Sequence, residues 1–162
     1  MVANDIVTGF IAIIIGYLLG SIPSAYIAAR LATGKDIRQL GGGNVGGLNV
    51  FREVGPWSAL AVGIVDIGKG TAAVAIAHWL LAVPPLFVLL AGLAAVVGHN
   101  WIVFLKFSGG KGMGPAIGAL ATVLPLYQYQ RYLPPELTRV PPPGRHLSRQ
   151  HYPRQAGGCL CL

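Results

Sequence analysis

Between Asp5 and Arg30 the chain runs for 24 residues, Ile6 to Ala29, without a charged side chain. A bilayer-spanning helix needs about 20 predominantly apolar residues, because the hydrocarbon core is about 30 Å thick and each helical residue rises about 1.5 Å. A second uncharged stretch extends from Pro84 to Leu105. Only 10% of the side chains are charged and 54% are hydrophobic, whereas a soluble domain carries about 25% charged residues. One core built from 162 residues could not bury so much apolar surface. These features exclude a soluble domain and predict an all-α fold, a polytopic helical membrane protein. A cleaved signal peptide is disfavoured, because the charge ahead of the first run is acidic and the run exceeds the roughly 7–15 residues of a signal core.

Charge places the spans. The first span is expected from Ile6 to Ala29, and the second from Pro56 to Val83 with Asp66 and Lys69 inside it. The third follows Pro84-Pro85 and ends near Phe107, and a fourth begins around Gly112. Arg30, Lys35, Arg38 and Arg52 fall between spans one and two, and Lys106 and Lys111 follow span three; the N-terminal arm and the Pro84-Pro85 turn have no basic residue. Basic loops stay on the cytoplasmic side. The expected topology is multi-pass, with the N-terminus outside and both glycine-rich loops cytoplasmic.

The character of the chain changes after Leu126. Residues 1–127 carry seven Lys/Arg and four Asp/Glu; residues 128–162 carry five Lys/Arg against Glu136 alone, six of the twelve prolines and both cysteines, Cys159 and Cys161. No helical or strand periodicity organises this tail. It reads as a membrane-embedded unit over 1–127 followed by a Pro/Arg-rich segment. The alternatives are a disordered extension, a basic arm for a membrane surface or RNA, and the out-of-frame end of an interrupted gene; the last is favoured and nucleic-acid binding is not expected. A lone C-x-C is a poor metal site, so no metal is assigned.

Two loops carry the chemistry. The first reads GKDIRQLGGGNVGGLNVFREVG. Gly41, Gly42, Gly43, Gly46 and Gly47 permit close backbone approach and positive φ, and successive N–H groups in such turns form a concave anion site. Asn44 and Asn49 offer amides that donate and accept, and Arg52 a planar fork for phosphate or carboxylate. The competing reading is a flexible, solvated surface loop. The second loop, KFSGGKGMG, sets Gly109, Gly110, Gly112 and Gly114 around Lys111 at the entry of the next apolar segment. A helix start beside a lysine suits a phosphate group; a plain positive-inside anchor is the alternative. Charges within spans are costly and usually functional. Asp66 and Lys69 share one helical face and could pair structurally or face a polar site. His99 and Asn100 lie near the inner end of span three, as a structural pair or as ligand-positioning groups, whereas His78 beside Trp79 reads as interfacial. Gly41-x-Gly43-x-x-Gly46 lacks the surrounding βαβ unit of a dinucleotide site, and Gly63 to Lys69 lies within a span with Gly70 at the Ser/Thr position of a Walker loop. Neither implies a nucleotide.

GYLLGSIPSAYIAARL, KDIRQLGGGNVGGLNVFREVG, DIGKGTAAV and VGHNWIVFLKFSGGKGMGPAIG, in that order over residues 16–118, resemble the bacterial acyl-phosphate:glycerol-3-phosphate acyltransferase family, PlsY. The resemblance implies an enzyme of the bacterial inner (plasma) membrane. Its substrates would be glycerol 3-phosphate and acyl phosphate beside membrane lipids, with no cofactor and a contact with the enzyme that produces acyl phosphate. The acyl group would pass to the sn-1 hydroxyl, giving lysophosphatidic acid. By the same resemblance Arg52, Asn44, Asn49 and Lys111 would be catalytic. Gly41, Gly42, Gly43, Gly46, Gly109, Gly110, Gly112, His99, Asn100, Lys69 and Asp66 would bind substrate.

The family's first-motif serine is here Gly42 and its Ala-Thr is Gly47-Leu48. Its C-terminal H-x-x-N has no counterpart, since Arg149 follows His146 and Arg154 follows His151 at that spacing. The competing readings are a catalytically impaired relic that keeps the fold and the phosphate loops, and a small transporter subunit.

Overall fold

The computed structural model describes residues 3–132. The expectations for the tail beyond Tyr132, with His146, His151, Cys159 and Cys161, lie outside the described residues. Within them every element is helical: α1 (Ala3–Gly20), α2 (Ser24–Thr33), a 3-10 turn (Ile37–Gln39), α3 (Gly47–Glu53), α4 (Pro56–Ala75) running on through a π turn (Ile76–Leu80), α5 (Pro85–Asn100), a second 3-10 turn (Val103–Leu105) and α6 (Met113–Tyr132). Three stretches are long and apolar enough to cross a membrane: Ala3–Thr33, Pro56–Leu80 and Pro85–Leu105. Phe10, Ile14, Leu18, Ile64, Leu89 and Leu93 point outward and stay exposed, a distribution suited to lipid contact and out of place in water.

Small residues let these helices approach. α1 lies along α5, where a methyl group on Gly16 or Gly20 would collide with the carbonyl of Ala91 or Ala95, and one on Gly98 with the carbonyl of Tyr17. α4 lies along α6 with Gly70 against the Pro115 carbonyl and Gly118 against that of Ile67. Lipid tails are as apolar as leucine, so helices in a bilayer associate through this close van der Waals fit. The buried centre gathers Ala12, Val74, Ala77, Val88, Ala91, Ala119 and Val123.

Two expected boundaries move. The first span is two helices, not one. Pro23 has no N–H and its ring crowds the carbonyl four residues back, so α1 ends at Gly20 and α2 begins at Ser24. The fourth apolar segment does not stop at residue 127, because α6 continues through Pro125 to Tyr132.

The first basic loop is also no flexible connector. Ile37, Val45 and Val50 are buried with Ala25, Ala29, Val62, Ile102 and Leu105 in a second core beneath it. Asp36 caps the 3-10 turn by accepting from the Arg38 N–H at 3.0 Å. Arg38 reaches the Leu105 carbonyl at 3.4 Å, so both glycine-rich loops lie together at one end of the bundle.

Candidate functional site

The two loops meet over a small polar cleft of about 80 Å³, lined by Asn44, Gly46, Gly47, Leu48, Asp66, His99, Lys111, Gly112, Met113 and Gly114. Asn44 to Leu48 supply one wall and lead into α3; Lys111 to Gly114 supply the other and lead into α6. Asp66 of α4 and His99 of α5 form the floor. Two stretches far apart in sequence, each read as an anion-binding turn, thus share one opening.

The seam between the loops is tight. The Gly110 N–H donates to the His99 carbonyl at 3.0 Å. A Cβ on Gly110 would run into His99 Nε2 and lie 2.6 Å from the Val45 carbonyl oxygen. Gly109 backs onto the carbonyls of His99 and Asn100, and Gly112 has φ +73° with Asn100 Oδ1 2.7 Å from where a Cβ would stand. Glycine at 112 is therefore required by both conformation and space. Asn100 Oδ1 is buried and, among the described residues, has no hydrogen-bond partner.

Under the cleft lies a polar knot inside the membrane span. Lys69 Nζ is 2.8 Å from Asp66 Oδ1 and donates to the carbonyls of Ile22 at 2.8 Å and Gly20 at 3.4 Å. Those carbonyls are exposed by the break at Pro23, and a bilayer offers no water to satisfy them. Asp66 Oδ1 also accepts from Ser24 Oγ at 2.5 Å. His99 Nδ1 stands 3.5 Å from Lys69 Nζ and 3.6 Å from Asp66 Oδ1.

Of the residues singled out from sequence, Asn44, Gly46, Gly47, Asp66, His99, Lys111, Gly112 and Gly114 line the cleft. Gly109, Gly110 and Asn100 pack behind its wall. Lys69 was expected to bind substrate; the structure turns it to the broken helix end instead. Asn49 is likewise directed inward, its Nδ2 within 3.1 Å of the Leu40 and Asn44 carbonyls and 3.4 Å of that of Ile37. Arg52 is exposed on α3 outside the cleft, one turn beyond Leu48 and so on the same helical face. Gly41, Gly42 and Gly43 form the turn before Asn44 and do not line the opening. Sequence reasoning missed Leu48, Met113 and Ser24. Only Ser24 left a signal, as a hydroxyl beside a proline inside an otherwise apolar span.

Lys111 remains exposed at the cleft while the other charges there are neutralised within the knot. Outside the spans, the Arg38 guanidinium, which hydrogen-bonds the Asp36 side chain, holds that carboxyl below its ordinary range. The cleft thus offers a solvent-facing ammonium, an amide and glycine backbone to an anion.

A family model described as glycerol-3-phosphate acyltransferase matches residues 10–130. Glycerol-3-phosphate acyltransferase 1 of Dehalococcoides mccartyi is 54% identical over 122 residues, covering 75% of this chain and 59% of that protein. Glycerol-3-phosphate acyltransferase 2 of Moorella thermoacetica is 44% identical over 123 residues, covering 76% and 62%. Among solved structures, the glycerol 3-phosphate form of PlsY (YgiH), an integral membrane glycerol 3-phosphate acyltransferase, superposes with a TM-score of 0.66 at 36% identity, covering 75% of this chain and 62% of that one. The chain spans about three fifths of the length of these relatives.

Proposed function

Because this chain belongs to the glycerol-3-phosphate acyltransferase family, we propose that its cleft holds the phosphate of glycerol 3-phosphate for acyl transfer from acyl phosphate to the sn-1 hydroxyl. The observation that carries this reading is the meeting of Asn44, Gly46 and Gly47 with Lys111 and Gly112 around one opening, at the start of α6. An ammonium, an amide and backbone at a helix start are the groups that receive a phosphate ester.

Acyl phosphate is a mixed anhydride and needs no covalent enzyme intermediate. The sn-1 oxygen attacks the acyl carbon and the carbon–oxygen bond to phosphate breaks. Inorganic phosphate leaves, and a phosphate oxygen of the substrate takes the hydroxyl proton. The product is lysophosphatidic acid. The protein's part is to place two phosphate-bearing substrates and to stabilise charge on the oxygen of the attacked carbonyl. Lys111, Asn44 and the loop amides serve at the cleft. Arg52 serves at its rim, on the helical face that Leu48 brings to the opening. In this scheme Asn49 and Gly41 to Gly43 shape the loop, and the acyl chain lies between spans in the bilayer.

The clustering of Arg30, Lys35, Arg38, Arg52, Lys106 and Lys111 on the connecting loops supports cytoplasmic loops and an outer N-terminus in a bacterial inner membrane. Acyl phosphate would then arrive from the enzyme that makes it on the cytoplasmic side. Residues 3–132 would form the membrane-embedded unit.

A second reading is a relic that binds glycerol 3-phosphate without turnover. It is supported by Gly42, which has nothing within 4 Å of a Cβ and no hydroxyl to offer substrate. The purified chain in lipid nanodiscs, given labelled glycerol 3-phosphate and palmitoyl phosphate, separates the readings. Labelled lysophosphatidic acid establishes transfer, saturable binding without product establishes the relic, and no binding removes both.

A further inference from the structure

Lys69 is a buried cation that the proposed reaction leaves unused. It is 4% exposed, sits within α4 and does not line the cleft. Its ammonium faces the Ile22 and Gly20 carbonyls, the Asp66 carboxylate and His99 Nδ1. An ammonium has three donors and no acceptor, so its approach to within 3.5 Å favours a lone pair over an N–H on Nδ1. Asp66 Oδ1, 3.6 Å from Nδ1, is the competing acceptor for a proton there, but it already receives Ser24 Oγ and Lys69. A neutral imidazole carries one proton, and a lone pair on Nδ1 leaves it on Nε2. That nitrogen is at the ring edge facing Gly110. Among the described residues it has no hydrogen-bond partner, and His99 belongs to the floor of the cleft beside Lys111 and Asn44.

We infer that Lys69 is a positioning residue: it fixes His99 as the Nε2–H tautomer, so that the ring presents an N–H donor to an anionic oxygen held between the two glycine loops. The ligand class is a phosphate ester, and this inference rests on the reading of the cleft given above. A neutral N–H suits the place, because it can orient an oxygen without adding a further unbalanced charge to the membrane-buried knot. The sequence hides the arrangement, since Lys69 and His99 are thirty positions apart on different helices.

The test is nitrogen-15 spectroscopy of histidine-labelled full chain in nanodiscs, with His99 assigned by difference from His99→Gln, joined to titration with glycerol 3-phosphate. In the unaltered chain Nε2 should be protonated and Nδ1 not. The double variant Asp66→Asn/Lys69→Met removes both charges at nearly constant volume; it should lose the tautomer preference and weaken binding about tenfold. His99→Gln, whose amide reaches the Nε2 position, should retain most of the affinity, and His99→Asn, which mimics Nδ1, should lose it. A proton on Nδ1 in the unaltered chain, an unchanged tautomer in the double variant, or asparagine binding as well as glutamine would overturn the inference. Should the double variant fail to fold, the two His99 variants decide. If the unaltered chain binds no glycerol 3-phosphate, the phosphate-site reading fails, while the tautomer comparison still decides what Lys69 does.

Discussion

Gly70 of α4 stands directly against the carbonyl of Pro115 in α6, with no room for a methyl group between them. The contact brings the start of α6, and with it the second glycine loop, onto the helix that carries Asp66. Close backbone approach here serves the site as much as the fold.

Gly70→Ala is therefore expected to destabilise the chain by about 1–3 kcal/mol, the usual cost of overpacking a filled interface. Gly63→Ala is the matched control: the same helix, the same substitution, but nothing within 4 Å of the new Cβ. It should be neutral or stabilising by up to about 1 kcal/mol, since alanine is the better helix former. Thermal unfolding of both variants in one detergent tests the contrast; equal midpoints would refute it.

Lys111→Ala should weaken glycerol 3-phosphate binding about tenfold or more, the loss expected for one charge-assisted hydrogen bond. Arg52, exposed on α3 outside the cleft, should matter differently: Arg52→Ala is expected to abolish acyl transfer while leaving measurable binding. Calorimetric titration of each variant against the unaltered chain, together with the transfer assay, distinguishes the two roles. Unchanged affinity after loss of Lys111 would remove it from the site.

Most of this architecture was legible. Uncharged runs marked the spans because lipid excludes charge, and glycines around Lys111 and Asn44 marked the two loops that border the cleft. What stayed hidden depends on contacts distant in sequence. The break at Pro23 was invisible in hydropathy, since Ser21, Ile22 and Pro23 carry no charge; its purpose emerges only when Lys69, 47 positions beyond Ile22, fills the freed carbonyls. The family resemblance made Asn49 a catalytic amide, and no motif says which way a side chain points. The competing reading of the first loop as a flexible, solvated connector could not be set aside from sequence, because Ile37, Val45 and Val50 share their core with the distant Ile102 and Leu105.

Asp36 gives the loop a defined acid sensitivity. The Arg38 side chain, hydrogen-bonded to it, lowers its carboxyl pKa in the folded chain. A lowered folded-state value means that the carboxylate stabilises the fold fully above its ordinary titration range, near pH 4. That contribution is lost as pH falls through the folded value. Asp36→Asn should make the acid side of the stability profile less steep and leave its neutral side flat. Denaturation midpoints between about pH 3 and pH 7 check this; a parallel profile would mean that the pair contributes nothing.

Asn49 and Asn44 separate architecture from ligand contact. Asn49 is 8% exposed and its amide nitrogen serves the carbonyls of Ile37, Leu40 and Asn44; Asn44 borders the cleft. Removing a buried donor strands its acceptors at about 1–3 kcal/mol, so Asn49→Ala should lower the unfolding midpoint clearly. Asn49→Asp, although nearly the same shape, should be worse than alanine, because it turns an acceptor towards three acceptors. Asn44→Ala should leave the midpoint nearly unchanged and weaken glycerol 3-phosphate binding. The decisive comparison is the order of midpoints: asparagine above alanine above aspartate at 49. An aspartate variant as stable as the unaltered chain would show that the amide nitrogen does not hold the loop, and would return Asn49 to the list of groups free to meet substrate.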